Sequence, residues 1–218
     1  MKNAQPISRS ARRRLQTRTA LIDAGHAVMA EKGLEGATIN EITEAADVGF
    51  GSFYNHFESK EALFAAVIDS KVEPVCRRLD GLRQHSHDCA ELLAAGIRHA
   101  LRLVCEDRTW GWFIYRIGPW MLRHQAGLVG LMASLIRFGI ERGRFRSDDP
   151  DMAVTVATGG IIATISAMLY NDIGADGPER VARQCLVLLG IPAEEAEEIC
   201  RRPLPPLDAV PAREPDAI

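Results

Sequence analysis

The feature that most constrains the fold is the spacing of apolar residues, which recur at intervals of three and four along almost the whole 218-residue chain. This spacing is typical of amphipathic α-helices, whereas the alternating pattern of half-buried strands is scarce. Hydrophobic residues make up 47% of the chain, which is enough to build a substantial core. The sequence therefore predicts an all-α protein.

Local signals divide residues 17 to 68 into short helices. Gly33 is suited to the end of a first helix. The motif TINE follows, in which Thr38 and Glu41 can form a capping box at the start of a second helix. Ser59 can cap a long helix, and Pro74 predicts a kink within it. Three short helices before a long one indicate a helix-turn-helix unit, whose third helix lies in the major groove of DNA.

The segment DVGFGSFYNHF, residues 47–57, has a distinct pattern of faces. If residues from about 49 to 57 form a helix, Phe53 and Phe57 share one face and anchor it to the first two helices. Tyr54 and His56 then lie on the flanks, where they can hydrogen-bond phosphates. The opposite face, predicted to lie toward DNA, consists of the small residues Gly51, Ser52 and Asn55.

The sequence leaves open the role of Gly51 and the direction in which the side chain of Phe50 points. A glycine inside a helix costs about 1 kcal/mol relative to alanine, so Gly51 favours close approach of DNA to the backbone over a purely structural role. The alternative is a loosely wound turn packed by aromatic rings. Phe50 lies between the two faces, where it either packs inward or contacts a thymine methyl group.

The segment TINEITEAADVGFGSFYNHFESKEALF resembles the DNA-binding motif of the tetracycline-repressor (TetR) family over residues 17–68. The family pattern joins a Thr-capped helix, Ala-Gly-Val, a Gly-x-x-Tyr-x-His/Tyr-Phe motif and a Lys-x-x-Leu helix. Asp47 stands where the family has glycine, and Gly49 where it has a Ser or Thr cap. The resemblance implies that operator DNA is contacted by Thr38, Asn40, Phe50, Gly51, Ser52, Tyr54, Asn55, His56 and Lys60.

The resemblance also implies a helical ligand-binding and dimerisation domain after the DNA-binding head. The predicted organisation is a flexible basic arm (1–14), a helix-turn-helix domain (15–58), the second helical domain (59–202) and a disordered proline-rich tail (203–218). The first 20 residues carry six basic and no acidic side chains although the chain has a net charge of -3. We expect Arg12, Arg13 and Arg14 to bind DNA phosphates, the alternative being a solvated tail.

An aromatic segment around residues 110–124 is the predicted ligand site, centred on a helix break at Gly118 and Pro119. Pockets combine aromatic walls with a few polar groups. Arg116 and His124 would favour an anionic or carbonyl-bearing ligand, and the alternative for the rings is ordinary core packing. The full predicted set is Trp110, Phe113, Arg116, Trp120, Met121 and His124.

Residues 152–170 form an uncharged stretch as long as a membrane span. Two adjacent glycines and acidic residues at both ends disfavour a membrane interpretation. Small residues recur every four positions, which favours close packing against another helix, either within one chain or between two copies. The predicted homodimer interface consists of Gly159, Ala163, Ala167, Val181, Cys185 and Leu188.

These features together predict a ligand-responsive transcriptional repressor that binds double-stranded operator DNA as a homodimer and is released by an unidentified small-molecule effector. The alternative is a helical small-molecule-binding or scaffold protein that does not bind DNA specifically. No catalytic motif and no spacing of metal ligands is recognised, so neither an enzyme nor a cofactor is expected. Scattered cysteines and the lack of a signal segment indicate a cytoplasmic protein.

Overall fold

A computed structural model describes residues 8–207 of the chain. The described residues form only helices, and the all-α prediction is confirmed. A π-helical turn spans Ile68–Val72, and a 3-10 helix spans Gly81–Gln84. The α-helices are α1 (Arg9–Gly36), α2 (Ile39–Ala45), α3 (Phe50–Phe53), α4 (Lys60–Val67), α5 (Glu73–Asp80), α6 (Cys89–Glu106), α7 (Arg108–His124), α8 (Gly127–Glu141), α9 (Pro150–Leu169), α10 (Gly177–Leu188) and α11 (Ala193–Arg201).

The chain divides into two compact units, one ending at Ser70 and the other beginning at Lys71. The first unit contains α1 to α4. Helix α4 packs so closely on α1 that a Cβ atom built on Gly25 would lie 3.0 Å from Leu63 Cδ2. The buried side chains of α4 therefore complete the core of the first unit, which extends beyond the boundary predicted at residue 58.

Helix α1 begins earlier than the sequence patterns predict. Ser8 caps it by accepting a hydrogen bond from the amide of Ala11 at 3.2 Å. Residues 9–14 are thus helical, not a flexible arm, because arginine and alanine have high helix propensity and an N-cap is present. The rest of the predicted arm, residues 1–7, lies outside the described residues. The regular helix ends as predicted at Gly33, whose φ is +76°.

Pro74 interrupts the predicted long helix after α4. It occupies the first turn of α5, and the wider π-helical turn precedes it. Proline has no amide hydrogen to donate to the preceding turn, so a regular α-helix cannot continue unchanged through this position. The predicted kink is therefore present as a change of helix type.

The second unit is built around α6, which packs against α5 and every helix from α7 to α11. Its core includes the fully buried side chains of Leu101, Phe113, Ile117, Ile136 and Leu186. The predicted break in α7 is wrong, since the helix continues across Gly118 and Pro119. Pro119 is on the exposed side of α7, where the loss of one amide donor is tolerated while the opposite face stays packed.

Helix α9 is the one helix in the described part of the chain that is long and apolar enough to cross a membrane. Its mean hydropathy reaches 1.8 over an 18-residue window, of which 39% is buried. Length and composition are the only grounds for that assignment, and core helices of soluble proteins meet the same criterion. Met152 and Val156 are 55% and 50% exposed, so one side of this helix is not covered by residues 8–207.

Four of the five cysteines are buried, namely Cys76, Cys89, Cys185 and Cys200, and all five are free thiols. Burial raises the pKa of Cys76 and of Cys185 to about 12. Burial likewise raises the pKa of Cys89 and of Cys200. Cys105 is exposed near the end of α6.

Part of the predicted disordered tail is held against the second unit. The carbonyl oxygen of Pro205 lies 2.9 Å from Nε2 of His99, and Arg98 donates to the carbonyl of Arg202 at 3.0 Å. The start of the predicted tail is therefore tied to α6 at Pro205, and the residue before the tail, Arg202, is tied to the same helix. The remaining predicted tail, 208–218, lies outside the described residues.

Candidate DNA-binding surface and ligand cavity

The second helix of the head begins with the predicted capping box. The hydroxyl of Thr38 accepts from the Glu41 amide at 3.3 Å, and the Thr38 amide donates to Oε2 of Glu41 at 3.1 Å. Lys32 donates to the other carboxylate oxygen at 2.5 Å, and the Thr38 hydroxyl donates to Oε2 at 2.8 Å. The hydrogen bonds that the carboxylate accepts from Lys32 and Thr38 lower the pKa of Glu41 to about 2. Helix α2 is thus fixed at its first turn. Thr38 and Asn40, the predicted DNA contacts at this end, are both exposed.

The turn after α2 uses Asp47 in a left-handed conformation, with φ of +53°. The amide of Val48 donates to the carbonyl of Thr43 at 3.0 Å and closes the turn. Aspartate tolerates this conformation better than most residues other than glycine. The departure from the family glycine at this position therefore leaves the turn intact.

Helix α3 is shorter than the predicted helix over residues 49–57. It spans only Phe50–Phe53, and residues 54–56 form a turn. Gly49 is its N-cap and supplies no side-chain hydrogen bond, which favours a short helix. The predicted anchors are confirmed as core residues, because Phe53 is 0% and Phe57 5% exposed.

The outward side of this segment is open and carries the predicted small residues. Gly51 and Asn55 are exposed and Ser52 is half-buried. Phe50 does not pack inward, since its side chain is 50% exposed and meets the exposed ring of Tyr54 edge-on at 5.7 Å. Small polar groups and two aromatic rings thus form one accessible surface.

Basic side chains of α1 lie beside this surface. The guanidinium of Arg18 lies 5.0 Å from the centre of the Phe57 ring, a cation–π contact. Burial together with the charges of Arg14 and Arg18 holds the pKa of His56 below its ordinary value of 6.5. Arg12 and Arg13 are exposed on the same helix. The resulting positive field suits an anionic partner.

Lys60 has a second role that the sequence did not indicate. Its ammonium donates to the carbonyl of Ala37 at 3.0 Å and to that of Glu35 at 3.3 Å. The predicted phosphate ligand therefore also closes the end of α1, where helix carbonyls lack partners in their own helix.

The second unit contains an apolar cavity of about 110 Å³. Helices α5 to α9 all contribute to its wall, through aliphatic side chains such as Leu79, Ile97, Ile114, Leu135 and Ile162. Asp80, Arg83 and Thr158 supply its polar side chains. Asp80 and Arg83 form an ion pair at 2.7 Å and also line an open depression on the surface, which places them at its outer edge.

The predicted ligand set overlaps this cavity at a single residue. Of those six residues only Met121 lines it, whereas Trp110, Phe113, Arg116, Trp120 and His124 do not. Ile114, Gly118 and Met121 share the face of α7 that meets the cavity, while Trp110 and Phe113 are buried elsewhere in the core. The predicted aromatic residues thus lie on α7, but not on its cavity-facing side.

The predicted dimer surface is accessible apart from one residue. Gly159 and Ala163 are exposed on α9, and Leu188 is 42% exposed on α10. Ala167 and Val181 are half-buried. Cys185 is 4% exposed, so it belongs to the interior of one chain.

Comparison with known proteins places both units in one family. Residues 21–67 match the model of bacterial regulatory proteins of the tetR family, and residues 88–202 match the tetracyclin repressor-like C-terminal domain. The crystal structure of RolR in complex with resorcinol is similar to this chain with a TM-score of 0.69 and a sequence identity of 37%. The match covers 91% of this chain and 100% of the RolR chain.

Two curated relatives are described as HTH-type transcriptional repressors. KstR2 of Rhodococcus jostii (strain RHA1) is 39% identical over 182 residues, which cover 79% of this chain and 88% of KstR2. DhaR of Mycobacterium sp. (strain GP1) is 47% identical over 55 residues, which cover 25% of this chain and 28% of DhaR. The match thus spans about a quarter of the length of DhaR. The predicted resemblance is confirmed: the chain belongs to the TetR family of bacterial regulatory proteins.

Proposed function

We propose that the chain is a homodimeric transcriptional repressor of the cytoplasm that binds an operator through α2 and α3 and releases it when a small molecule occupies the cavity. The observation that carries this proposal is the surface formed by Phe50, Gly51, Tyr54 and Asn55, which is exposed while Phe53 holds it on the core. A surface of this kind, flanked by arginines, suits the major groove and its phosphates.

Release by an effector requires that the effector bind one arrangement of the protein more tightly than another. Leu79 and Asp80 of α5 line the cavity, and the chain leads back from α5 through the π-helical turn to α4. Occupation of the cavity would act on α5 together with the other helices that line it. RolR binds resorcinol in its crystal structure, so small phenolic compounds are suitable first probes of this chain.

The dimer is proposed to form through the exposed sides of α9 and α10, which would place two heads on one near-palindromic operator. A second copy of the chain is the proposed cover for Met152 and Val156, in preference to lipid, because acidic residues flank α9. The Cys185 position is excluded from this surface.

Binding to the DNA upstream of the protein's own gene tests the proposal. We expect specific binding that weakens steeply with salt, and a loss of about five- to tenfold in Tyr54→Phe, which removes one hydrogen bond but keeps the ring. Tyr170→Phe is the matched control, since Tyr170 is 63% exposed but lies in the second unit. The proposal would be contradicted if the protein bound DNA in a salt-sensitive way but without sequence preference, and if Tyr54→Phe bound DNA as tightly as the wild type.

A further inference from the structure

The hydroxyl of Thr158 is a polar group enclosed in an apolar wall. Thr158 is 2% exposed and lines the cavity, and its Oγ1 has no hydrogen-bond partner among residues 8–207. Buried polar groups are nearly always hydrogen-bonded because an unpaired one costs free energy. An unpaired hydroxyl in a cavity wall therefore marks a position where a partner is missing.

Other threonines of α9 show the ordinary arrangement. Thr155 donates to the carbonyl of Asp151 at 2.8 Å, and Thr164 donates to that of Gly160 at 2.8 Å. Each hydroxyl is satisfied by the carbonyl four residues earlier, which is the usual solution within a helix. Thr158 does not make this hydrogen bond, so its hydroxyl stays available to the cavity.

The cavity limits the size of an occupant. Its volume of about 110 Å³ is on the scale of one six-membered ring, since engineered apolar cavities of about 150 Å³ bind benzene. The side near Gly118 is closed, because a Cβ atom on this residue would lie 2.8 Å from Ile162 Cδ1. A water molecule needs two to four polar partners, whereas the inner wall offers one side-chain hydroxyl. Water is therefore a poor occupant of this cavity.

The charges of the wall limit the occupant's polarity. Asp80 and Arg83 are 55% and 43% exposed and neutralise each other at the outer edge, and no charged side chain of the wall is buried. An anion enclosed among aliphatic side chains would lose its hydration without gaining a cation. The occupant must therefore be neutral.

We propose that Thr158 selects the effector by hydrogen-bonding a single hydroxyl group on an otherwise apolar, ring-sized, neutral molecule. The aliphatic wall binds the ring by burying its apolar surface, and the threonine hydroxyl pairs with the one polar group that the ring brings inside. This inference rests on the proposed function of the cavity as the effector site.

Phenol and toluene test the proposal, because they have nearly the same shape and differ by a hydroxyl in place of a methyl group. Their dissociation constants are measured by calorimetry for the full-length wild type and for Thr158→Val, an exchange that also replaces a hydroxyl by a methyl group. We expect the phenol-to-toluene affinity ratio to fall about tenfold in Thr158→Val and to be restored in Thr158→Ser. Benzoate is expected not to bind.

Two controls separate the hydrogen bond from effects on space or folding. Thr164→Val alters a hydroxyl of α9 that does not line the cavity, and it should leave the ratio unchanged. Gly118→Ala narrows the cavity and should weaken phenol and toluene alike. An unchanged ratio in Thr158→Val, or no binding of either probe by the folded wild type, overturns the proposal.

The outcome is distinguishable from failure of the repressor function. Operator binding is measured without phenol, so a chain that binds its operator but neither probe refutes only the role of Thr158. A chain that binds phenol through Thr158 but has no specific DNA site refutes only the proposed repressor function.

Discussion

The ammonium group of Lys60 lies 3.0 Å from the backbone carbonyl oxygen of Ala37 and joins the first turn of α4 to the end of α1. We expect Lys60→Met to lower the free energy of unfolding of the first unit by about 1 kcal/mol, because carbonyls at a helix end lose a donor. Urea unfolding measures this change, with Lys60→Arg as the variant that keeps the charge. If Lys60→Met kept wild-type stability but bound DNA more weakly, Lys60 would act as a phosphate ligand and would not stabilise the end of α1.

Substitution of Gly51 should change protein stability and DNA affinity in opposite directions. A Cβ atom at this position meets nothing within 4 Å among residues 8–207, so packing of these residues does not require glycine here. We expect Gly51→Ala to raise the free energy of unfolding by up to about 1 kcal/mol, since alanine favours the helix, and yet to weaken operator binding by crowding the DNA. Stability is measured by urea unfolding and affinity by fluorescence anisotropy.

The control for Gly51 is Gly81→Ala, which also adds a Cβ atom into open space but lies in the second unit. It should stabilise the chain without altering DNA affinity. Equal or stronger operator binding in Gly51→Ala would remove the argument that this glycine admits the DNA backbone or bases.

His56 provides a pH-dependent test of the DNA-binding surface. Burial and the charges of Arg14 and Arg18 lower its pKa, so the folded free protein disfavours the charged imidazole. Stability should therefore fall as the pH decreases through 6.5, the ordinary value, toward the lowered pKa of the folded state. Nuclear magnetic resonance of the imidazole should show this lowered pKa, and a rise on addition of operator DNA because phosphate favours the cation.

Arg14→Gln should raise the pKa of His56 in the free protein, because one repelling charge is removed. Arg13→Gln is the matched control, because Arg13 lies on the same helix but is not among the charges that lower the pKa of His56. This variant should leave that pKa unchanged. A pKa that stays the same with and without operator would contradict a phosphate contact by this histidine.

Ala163 tests the proposed dimer. We expect Ala163→Arg to give a folded monomer with weakened operator affinity, because a charged side chain cannot be buried at a close helix contact without a partner. Sedimentation gives the oligomeric state, and circular dichroism verifies folding. Ser134→Arg, at an exposed position of α8, should leave the dimer intact. A folded Ala163→Arg dimer would place the interface elsewhere.

Local signals predicted the head well because they depend on residues a few positions apart. The capping box needs only Thr38 and Glu41, and the anchors Phe53 and Phe57 are one turn apart along the chain. The length of α3 was harder to predict, since Gly49 and Gly51 weaken a helix without determining where it ends. Residue spacing alone did not reveal the hydrogen bonds of Lys60 across 23 residues.

The cavity could not be predicted in the same way, because it depends on where five helices approach one another. Periodicity shows that α7 has a buried face but not which neighbour packs against it, so the sequence does not distinguish Ile114 and Gly118 from the tryptophans as cavity residues. Thr158 gives no separate sequence signal either, because Thr155 and Thr164 lie in the same apolar helix. The structure distinguishes Thr158 from them by its burial and by its unpaired hydroxyl.

The distribution of the cysteines makes the natural chain ready for site-specific spectroscopy. Thiolates, not thiols, react with maleimides, and burial protects Cys76, Cys89, Cys185 and Cys200 while raising their pKa. One equivalent of a maleimide dye should therefore couple to Cys105 in the folded protein, which mass spectrometry of a digest can verify. The dye would then report on α6, which lines the cavity through Ile97 and Leu101. No cysteine would have to be replaced to obtain this labelled protein.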